Sequence, residues 1–299
     1  MTAEPERLRD RWASWLLDRR FGGDADQRDR ALAFLAGVRD EVLRRAEVRP
    51  GDTLLDVGCG DGLIGFGAAD LVGPSGHIVL SDISADLLAV CREIAAATDS
   101  QSGGTADRRF SYVETGLPAL EKIESASVDV ATTRSVSIYV DDIPASFTAL
   151  HRVLRPGGRI SIFEPINRFV VDRRADRLWG FDMTGLEPLV AKVYRALADY
   201  RMDTMLAFDE RDLLRHTEAV GFSDVRMTYQ AEVIRSGDDT ADSLLSTAPN
   251  PLVPTLGEIV AAALPPAEEA ALRERFAAEL AAGRREIRMA TVYLSGRRA

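Results

Sequence analysis

LLDVGCGDG, residues 54–62, sets a short apolar stretch with one embedded aspartate in front of a run of glycines. The glycines admit two registers. Gly60, Gly62 and Gly65 satisfy G-x-G-x-x-G, the spacing of a turn that carries a dinucleotide pyrophosphate on a helix N-terminus. Read one step earlier, Asp56-x-Gly58-x-Gly60 is a glycine turn with an acid at its entrance. Both registers let a ligand approach the backbone closely and both offer free N–H groups. They differ in charge. A carboxylate at position 56 is unfavourable beside a pyrophosphate and favourable beside a ligand carrying an ammonium and a sulfonium. Glycine at 58 also breaks the strand before the dinucleotide register would begin. The residues therefore favour S-adenosylmethionine over a nicotinamide dinucleotide.

Working outward, strands and helices alternate. Thr53–Val57, His77–Leu80, Phe110–Val113, Val128–Thr132 and Arg159–Phe163 read as buried strands. Helices are expected over 62–71, 85–97 and 142–154, with Ser84 as the N-cap of the second. A polar Ser/Gly loop is expected over 98–106. Downstream, Asp209 caps a helix over 210–220, and Val225, Met227, Tyr229, Ala231 and Val233 alternate through a sixth strand. Residues 286–294 form a seventh, with an antiparallel pairing to the sixth left open. Helices are also expected over 5–19, with Leu8, Trp12, Trp15 and Leu16 on one face, and over 28–46. Residues 166–206 read as helical. Residues 237–283 combine a Pro-rich loop with helical pieces.

The pattern predicts an α/β protein, a doubly wound seven-stranded Rossmann-like sheet with a helical cap. We expect one domain over 1–299, with the sheet core in 48–165, 207–236 and 284–299 and the cap in 1–47, 166–206 and 237–283. Trp179, Phe181, Met183, Tyr194, Met202 and Met205 supply apolar surface to the cap, and five of them, Met202 aside, are candidates for an apolar pocket.

The chain has 299 residues, 46% of them hydrophobic, enough for a sizeable core. No run approaches the ~18–20 apolar residues of a membrane span, and the start carries no apolar signal segment. A cytoplasmic enzyme is the expectation. Net charge is −10, without a basic block, which disfavours a nucleic-acid partner. Cys59 and Cys91 are the two cysteines, and His77, His151 and His216 are far apart, so no metal site is expected.

Five ordered segments carry a resemblance: LLDVGCGDG (54–62), IVLSDIS (78–84), FSYVETGLP (110–118), SVDVATTRSVSIYV (127–140) and LHRVLRPGGRISIFEP (150–165). Over roughly residues 50–165 the chain resembles the class I S-adenosylmethionine-dependent methyltransferases, nearest the quinone-biosynthesis and small-molecule branch. The resemblance implies that Gly58 and Gly60 pass against the methionine part of the cofactor and that Asp56 holds its ammonium, directly or through water. It implies that Asp82 accepts from the ribose hydroxyls. Ile83 flanks the adenine, and Glu114, where the family usually has aspartate, accepts from the adenine amino group. Thr133 and Arg134 line the methionine end, and Cys59 and Thr115 complete the set.

On the acceptor side, Glu164 ends strand five and is a candidate base or hydrogen-bond acceptor. Tyr139 is a candidate to face the methyl group, and packing is its structural alternative. A small hydrophobic or aromatic metabolite is the expected acceptor, methylated on O, N or C by in-line displacement. Two cysteines are too few for the thiolates that arsenic methylation uses. Two other functions stay open: a non-catalytic S-adenosylmethionine-binding regulator and an NAD-dependent oxidoreductase. A homodimer is also left open.

Overall fold

A computed structural model describes residues 9–20, 25–102, 109–171, 174–198, 200, 204–236 and 240–299, with the backbone alone at 25–29, 99–102 and 236. The chain begins with α1 (Arg11–Ser14), which runs into a π-helical turn over Trp15–Arg19, and α2 (Ala25–Arg45). Then β1 (Thr53–Val57), α3 (Leu63–Gly67), α4 (Ala69–Val72), β2 (His77–Asp82), α5 (Ala85–Ser102) and β3 (Phe110–Glu114) alternate. They are followed by β4 (Val128–Arg134), α6 (Ile143–Val153), β5 (Leu154–Pro165) and α7 (Asn167–Val170). A short hairpin, β6 (Arg177–Leu178) and β7 (Phe181–Asp182), precedes α8 (Glu187–Ala198), α9 (Glu210–Ala219) and β8 (Phe222–Ser236). α10 (Ala241–Ser246), α11 (Leu256–Ala263) and α12 (Pro266–Ala281) lead to β9 (Arg285–Arg298).

The main sheet has seven strands in the order β3-β2-β1-β4-β5-β9-β8. The first five are parallel, and β9 runs antiparallel to both β5 and β8. The expected seven-stranded, doubly wound sheet is therefore present. Its two faces are legible in the period-two pattern of the strands. Leu55, Ala131 and Ile162 pack with α6 and α9 residues such as Phe147, Leu150 and Leu213. Their neighbours Leu54, Val130 and Phe163 pack on the other face with Val38, Val42, Ile64, Leu88 and Cys91. Parallel strands buried on both faces need apolar residues at successive positions, which is why the strand stretches read as near-continuous hydrophobic runs.

A third cluster is separate from both faces. Leu178, Phe181, Met183, Val190 and Val193 pack with Leu245, Ile259, Val260, Leu272 and Phe276. The Phe276 ring lies 4.7 Å from that of Phe181 and stacks on Trp179 at 5.9 Å. This is a helical layer assembled from two stretches of chain distant in sequence.

Several expectations need correction. Residues 166–206 are not wholly helical: Trp179 and Gly180 both adopt positive φ, the turn geometry that closes the β6–β7 hairpin. Residues 1–47 do not all belong to the cap, because Val38, Val42, Leu43 and Ala46 of α2 pack on the sheet. The helix expected over 62–71 divides into α3 and α4 at Ala68. α5 continues to Ser102, into the stretch expected as a loop, and 103–106 lie outside the described residues. Leu8 and Met202 also lie outside them. The alternation in β8 holds only in part: Val225 and Met227 pack against the core, whereas Tyr229 and Val233 are exposed along the edge strand.

We expect Phe276→Ala to destabilise the helical layer by about 3–5 kcal/mol, the usual cost of emptying a packed phenylalanine site. A lowered urea midpoint, with faster amide exchange in residues 256–281 than in β1 and β4, checks this. Equal acceleration in the sheet would show that the layer and the sheet unfold together.

Candidate active site

The site forms where β1, β2 and β4 end. The register sets Val57 beside Ser81 and beside Thr133, so the loops after these three strands emerge together. The first loop turns through Gly58 (φ 64°) and Gly60 (φ 59°). A Cβ on Gly58 would lie 2.5 Å from the Val136 side chain, so conformation and space both require glycine there.

Two carboxylates hold this loop. Asp82, at the end of β2, accepts from the Gly60 N–H through Oδ2 (2.9 Å) and from the Ser84 N–H through Oδ1 (2.9 Å). Asp56 accepts from the Gly65 N–H (3.0 Å) and from the Thr132 hydroxyl (3.1 Å). Burial pushes the Asp56 carboxyl up to about 7 against these bonds. Burial also raises Asp82, opposed by the Ser84 and Gly60 amides.

A cavity of about 460 Å³ opens over the loop. Gly58, Gly60, Asp82, Ile83, Gly116 and Leu117 line it, as do Arg134, Ile138, Tyr139, Asn167, Met205 and Ala248. Trp12, Trp15, Leu16 and Arg20 of the N-terminal segment add a wall. That segment is fixed in place. Asp10 caps α1 through the Trp12 and Ala13 amides and accepts from the Ser84 hydroxyl (2.6 Å). The Trp15 indole donates to Ala248 O (2.9 Å), and the Trp12 ring meets Tyr139 edge-on at 5.0 Å.

Of the residues anticipated from sequence, Gly58, Gly60, Asp82, Ile83, Arg134 and Tyr139 meet at this cavity. The others are placed differently. Asp56 is buried and engaged by Gly65 and Thr132, which makes it an anchor of the loop and not a lining group. Cys59 packs into the core beneath the loop. Glu114 is exposed beside Asp82 in register, and Thr115 is buried with its hydroxyl on Glu121. Thr133 is buried, and its hydroxyl makes no hydrogen bond among the described residues.

Glu164 is fully buried, and its Oε1 accepts from the Val136 and Ser137 amides (3.0 and 2.9 Å). It braces the turn after β4, in which Ser135 has positive φ, and it does not line the cavity. Trp179, Phe181, Met183 and Tyr194 belong to the third cluster, so of the five pocket candidates Met205 alone reaches the cavity. Trp12, Trp15 and Leu16 share a helix face in the sequence; the face points at the cavity and not at a core. Arg20, Gly116 and Leu117 carried no separable signal.

A parallel sheet with a glycine turn at its first strand exit and an acid at its second defines a nucleoside-binding Rossmann-like protein. Residues 49–183 match a family model described as a methyltransferase domain. The chain is 35% identical over 135 residues to the nocamycin O-methyltransferase of Saccharothrix syringae, covering 45% of each chain. It is 31% identical over 188 residues to the ubiquinone/menaquinone biosynthesis C-methyltransferase UbiE of Brucella anthropi, covering 61% of this chain and 66% of that one. The chain thus spans about half to two thirds of these curated relatives. A solved geranyl diphosphate methyltransferase bound to S-adenosylmethionine shares the fold, with a TM-score of 0.51 and 18% identity over 96% of this chain and 94% of the other. The chain belongs to the class I S-adenosylmethionine-dependent methyltransferases.

The residues present fit that cofactor. The glycine turn leaves its backbone bare toward the cavity, and Asp82 lines the cavity with acceptor capacity beyond its two amide partners, since an ionised carboxylate has about four acceptor sites. Asp82→Ala is expected to weaken S-adenosylhomocysteine binding at least about tenfold by calorimetry, from loss of a charge-assisted acceptor. Unchanged affinity would confine Asp82 to holding the loop.

Burial is the main cause that pushes the Glu164 carboxyl up to about 7, with the Ser137 and Val136 amides opposing it. Its unfolded value is lower, so between about pH 4.5 and 7 the native state binds the extra proton. This group's contribution is fully present below that window and is lost as pH rises through it. In denaturation curves from pH 5 to 8, Glu164→Gln should flatten the fall in stability by an amount on the order of 3 kcal/mol. An unchanged slope would show that Glu164 does not titrate there.

Proposed function

We propose that this protein transfers the methyl group of S-adenosylmethionine to an O, N or C atom of a small acceptor with an apolar or aromatic body. One observation carries the reading: a single cavity continues from Gly58, Gly60 and Asp82 to a compartment walled by Trp12, Trp15, Ile138, Tyr139, Met205 and Ala248. Pockets of this kind, apolar with few polar groups, suit small organic ligands. We also assign the chain as one methyltransferase domain, with segments 166–206 and 237–283 forming its cap.

The residues divide the work. Gly58 and Gly60 would give the cofactor backbone access, Asp82 would accept from its ribose, and Ile83 and Leu117 would flank its base. When bound, the cofactor supplies a methyl group already activated on a sulfonium. The rest is positioning and exclusion of water, and good orientation alone is worth up to about 7–11 kcal/mol. The indoles of Trp12 and Trp15 and the Leu16 side chain are the water-excluding wall.

Tyr139 is the polar group best placed at the acceptor end. Burial, opposed by the Arg20 charge, pushes its phenol up to about 12, so it keeps its proton at neutral pH. It therefore acts as a hydrogen-bond donor to the acceptor and not as a base. Glu164, behind the turn, positions Tyr139 through the Val136 and Ser137 amides.

The test is incubation with S-adenosylmethionine and fractionated small-molecule extracts, with mass spectrometry for S-adenosylhomocysteine and a product heavier by one CH₂. Cofactor binding without turnover on any fraction would favour a non-catalytic regulator. With an acceptor in hand, Tyr139→Phe should lower kcat/KM roughly tenfold, the value of about one hydrogen bond, while S-adenosylhomocysteine affinity stays unchanged. A full-rate Tyr139→Phe enzyme would reduce Tyr139 to packing against Trp12.

A further inference from the structure

β8 is the last strand of the sheet, and it is long. It runs over 15 residues, Phe222–Ser236, where strands of about five or six are usual. β9 pairs with it as far as Ser236 opposite Arg285, whereas β5 leaves β9 at Thr291. Residues 231–236 and 285–290 therefore project past the sheet as a two-stranded ribbon. On the β9 side this ribbon takes a partner, since the Glu286 N–H donates to Gly180 O (2.9 Å). On the β8 side, among the described residues, no strand pairs with the outer edge. Every side chain from Thr228 to Arg235 except Glu232 is exposed, Tyr229, Val233 and Ile234 among them.

A bare edge is a template for another chain, and proteins blunt it with proline, lysine, bulges or brevity. β8 contains no proline, glycine or lysine. Its irregularity in the pairing with β9 is confined to the bulge between Ser223 and Arg226. From Arg226 onward, every second residue turns its N–H and C=O away from β9.

The strand is also complementary to itself. Val225 and Met227 pack on the core with α6 and α9, so Tyr229, Ala231 and Val233 share that face. Thr228 accepts from Arg45 of α2 (2.9 Å), so Arg226, Gln230 and Glu232 share the opposite face. A two-fold axis perpendicular to the sheet sets two such edges antiparallel, keeps each face continuous and passes through one residue of the strand. Tyr229 is the midpoint of β8, so an axis there gives full overlap, with Phe222 opposite Ser236. The same axis sets Arg226 of each copy opposite Glu232 of the other. It also sets Met227 opposite Ala231, and Tyr229 opposite its own copy. One residue toward the N-terminus, the axis would bring Glu232 against Asp224; one or two toward the C-terminus, it would leave Arg226 and Glu232 against uncharged residues.

We propose that the β8 edge docks a second copy of this chain, the two strands pairing antiparallel about Tyr229 so that the two sheets continue as one. Opposite charges and apolar pairs directly across such a contact stabilise it, and like charges weaken it. No residue of β8 lines the cavity, so the pairing is independent of the methyl-transfer reading.

Sedimentation equilibrium of the full chain should show dimers that dissociate on dilution within about 0.1–100 μM. Arg226→Glu and Glu232→Arg, each alone, set like charges across the axis at two places and should weaken the dimer at least about tenfold. The double variant Arg226→Glu/Glu232→Arg restores both pairs and should return the affinity to within about threefold of wild type, which a misfolded single variant would not allow. Opposed Cα atoms lie about 4.5–5.5 Å apart, within disulfide reach, so Tyr229→Cys should cross-link two chains under copper-phenanthroline oxidation. Val233→Cys, equally exposed but some 26 Å from its own copy, should not. Cys59 and Cys91 are buried and give no background. A chain that stays monomeric at about 100 μM overturns the inference. So does a dimer that the single charge changes leave intact, a double variant that fails to recover, or cross-linking through Val233→Cys as fast as through Tyr229→Cys.

Discussion

The carboxylate of Asp82 ties the turn after β1 to the corner after β2, and the geometry of the site depends on that tie. A glycine turn with successive positive φ values has little of its own to hold it, because glycine gives up more conformational entropy than any other residue on folding. Asp82 fixes it through the Gly60 amide, and through Ser84 it fixes the corner that starts α5. Bonds of this charge-assisted kind contribute about 1.5–3 kcal/mol each. Ser84 then reaches Asp10, so one chain of hydrogen bonds runs from the glycine turn to the N-terminal wall of the cavity. The side chain proposed to meet a ribose is thus also the one that ties the glycine turn to this wall.

The three buried acids around the site work in two different ways. Asp56 and Glu164 face backbone amides behind the cavity, at Gly65 and at Val136–Ser137. Each satisfies N–H groups that a strand-to-helix connection leaves without a partner, and an unpaired buried amide costs about 1–3 kcal/mol. Burial raises both toward neutrality, and Asp82 adds like-charge repulsion to Asp56. The loop is held at the expense of carboxylates that would be happier in water. A cationic ligand above the loop relieves that strain, whereas a pyrophosphate would add to it.

The sheet was legible in the sequence because its signal is local. Leu54–Leu55, Val130–Ala131 and Ile162–Phe163 are apolar at successive positions, and Pro156-Gly157-Gly158 and Asp209 mark element ends. Glycine spacing and Asp82 were legible for the same reason. Side-chain direction was not. Asp56 and Glu164 stand at strand ends, where a carboxylate either enters the ligand cleft or turns back to the backbone, and the choice rests on partners 9 and 27–28 residues away. The apolar residues of 166–206 are ambiguous in the same way. Trp179, Phe181 and Met183 found a core because α11 and α12, some 80 residues on, supply its other half. The Trp12–Trp15–Leu16 face was legible as a face but not in what it covers, since a helix face that covers a cavity has the same periodicity as one that covers a core.

The N-terminal segment accounts for much of the cavity's apolar wall. The sheet alone offers the glycine turn, Asp82, Arg134 and the backbone after β4, a polar and open edge. The segment adds two indoles and a leucine, which lower the local dielectric. Lowering the dielectric strengthens every electrostatic preference inside the cavity. The indoles and the leucine then set which apolar bodies fit against the wall.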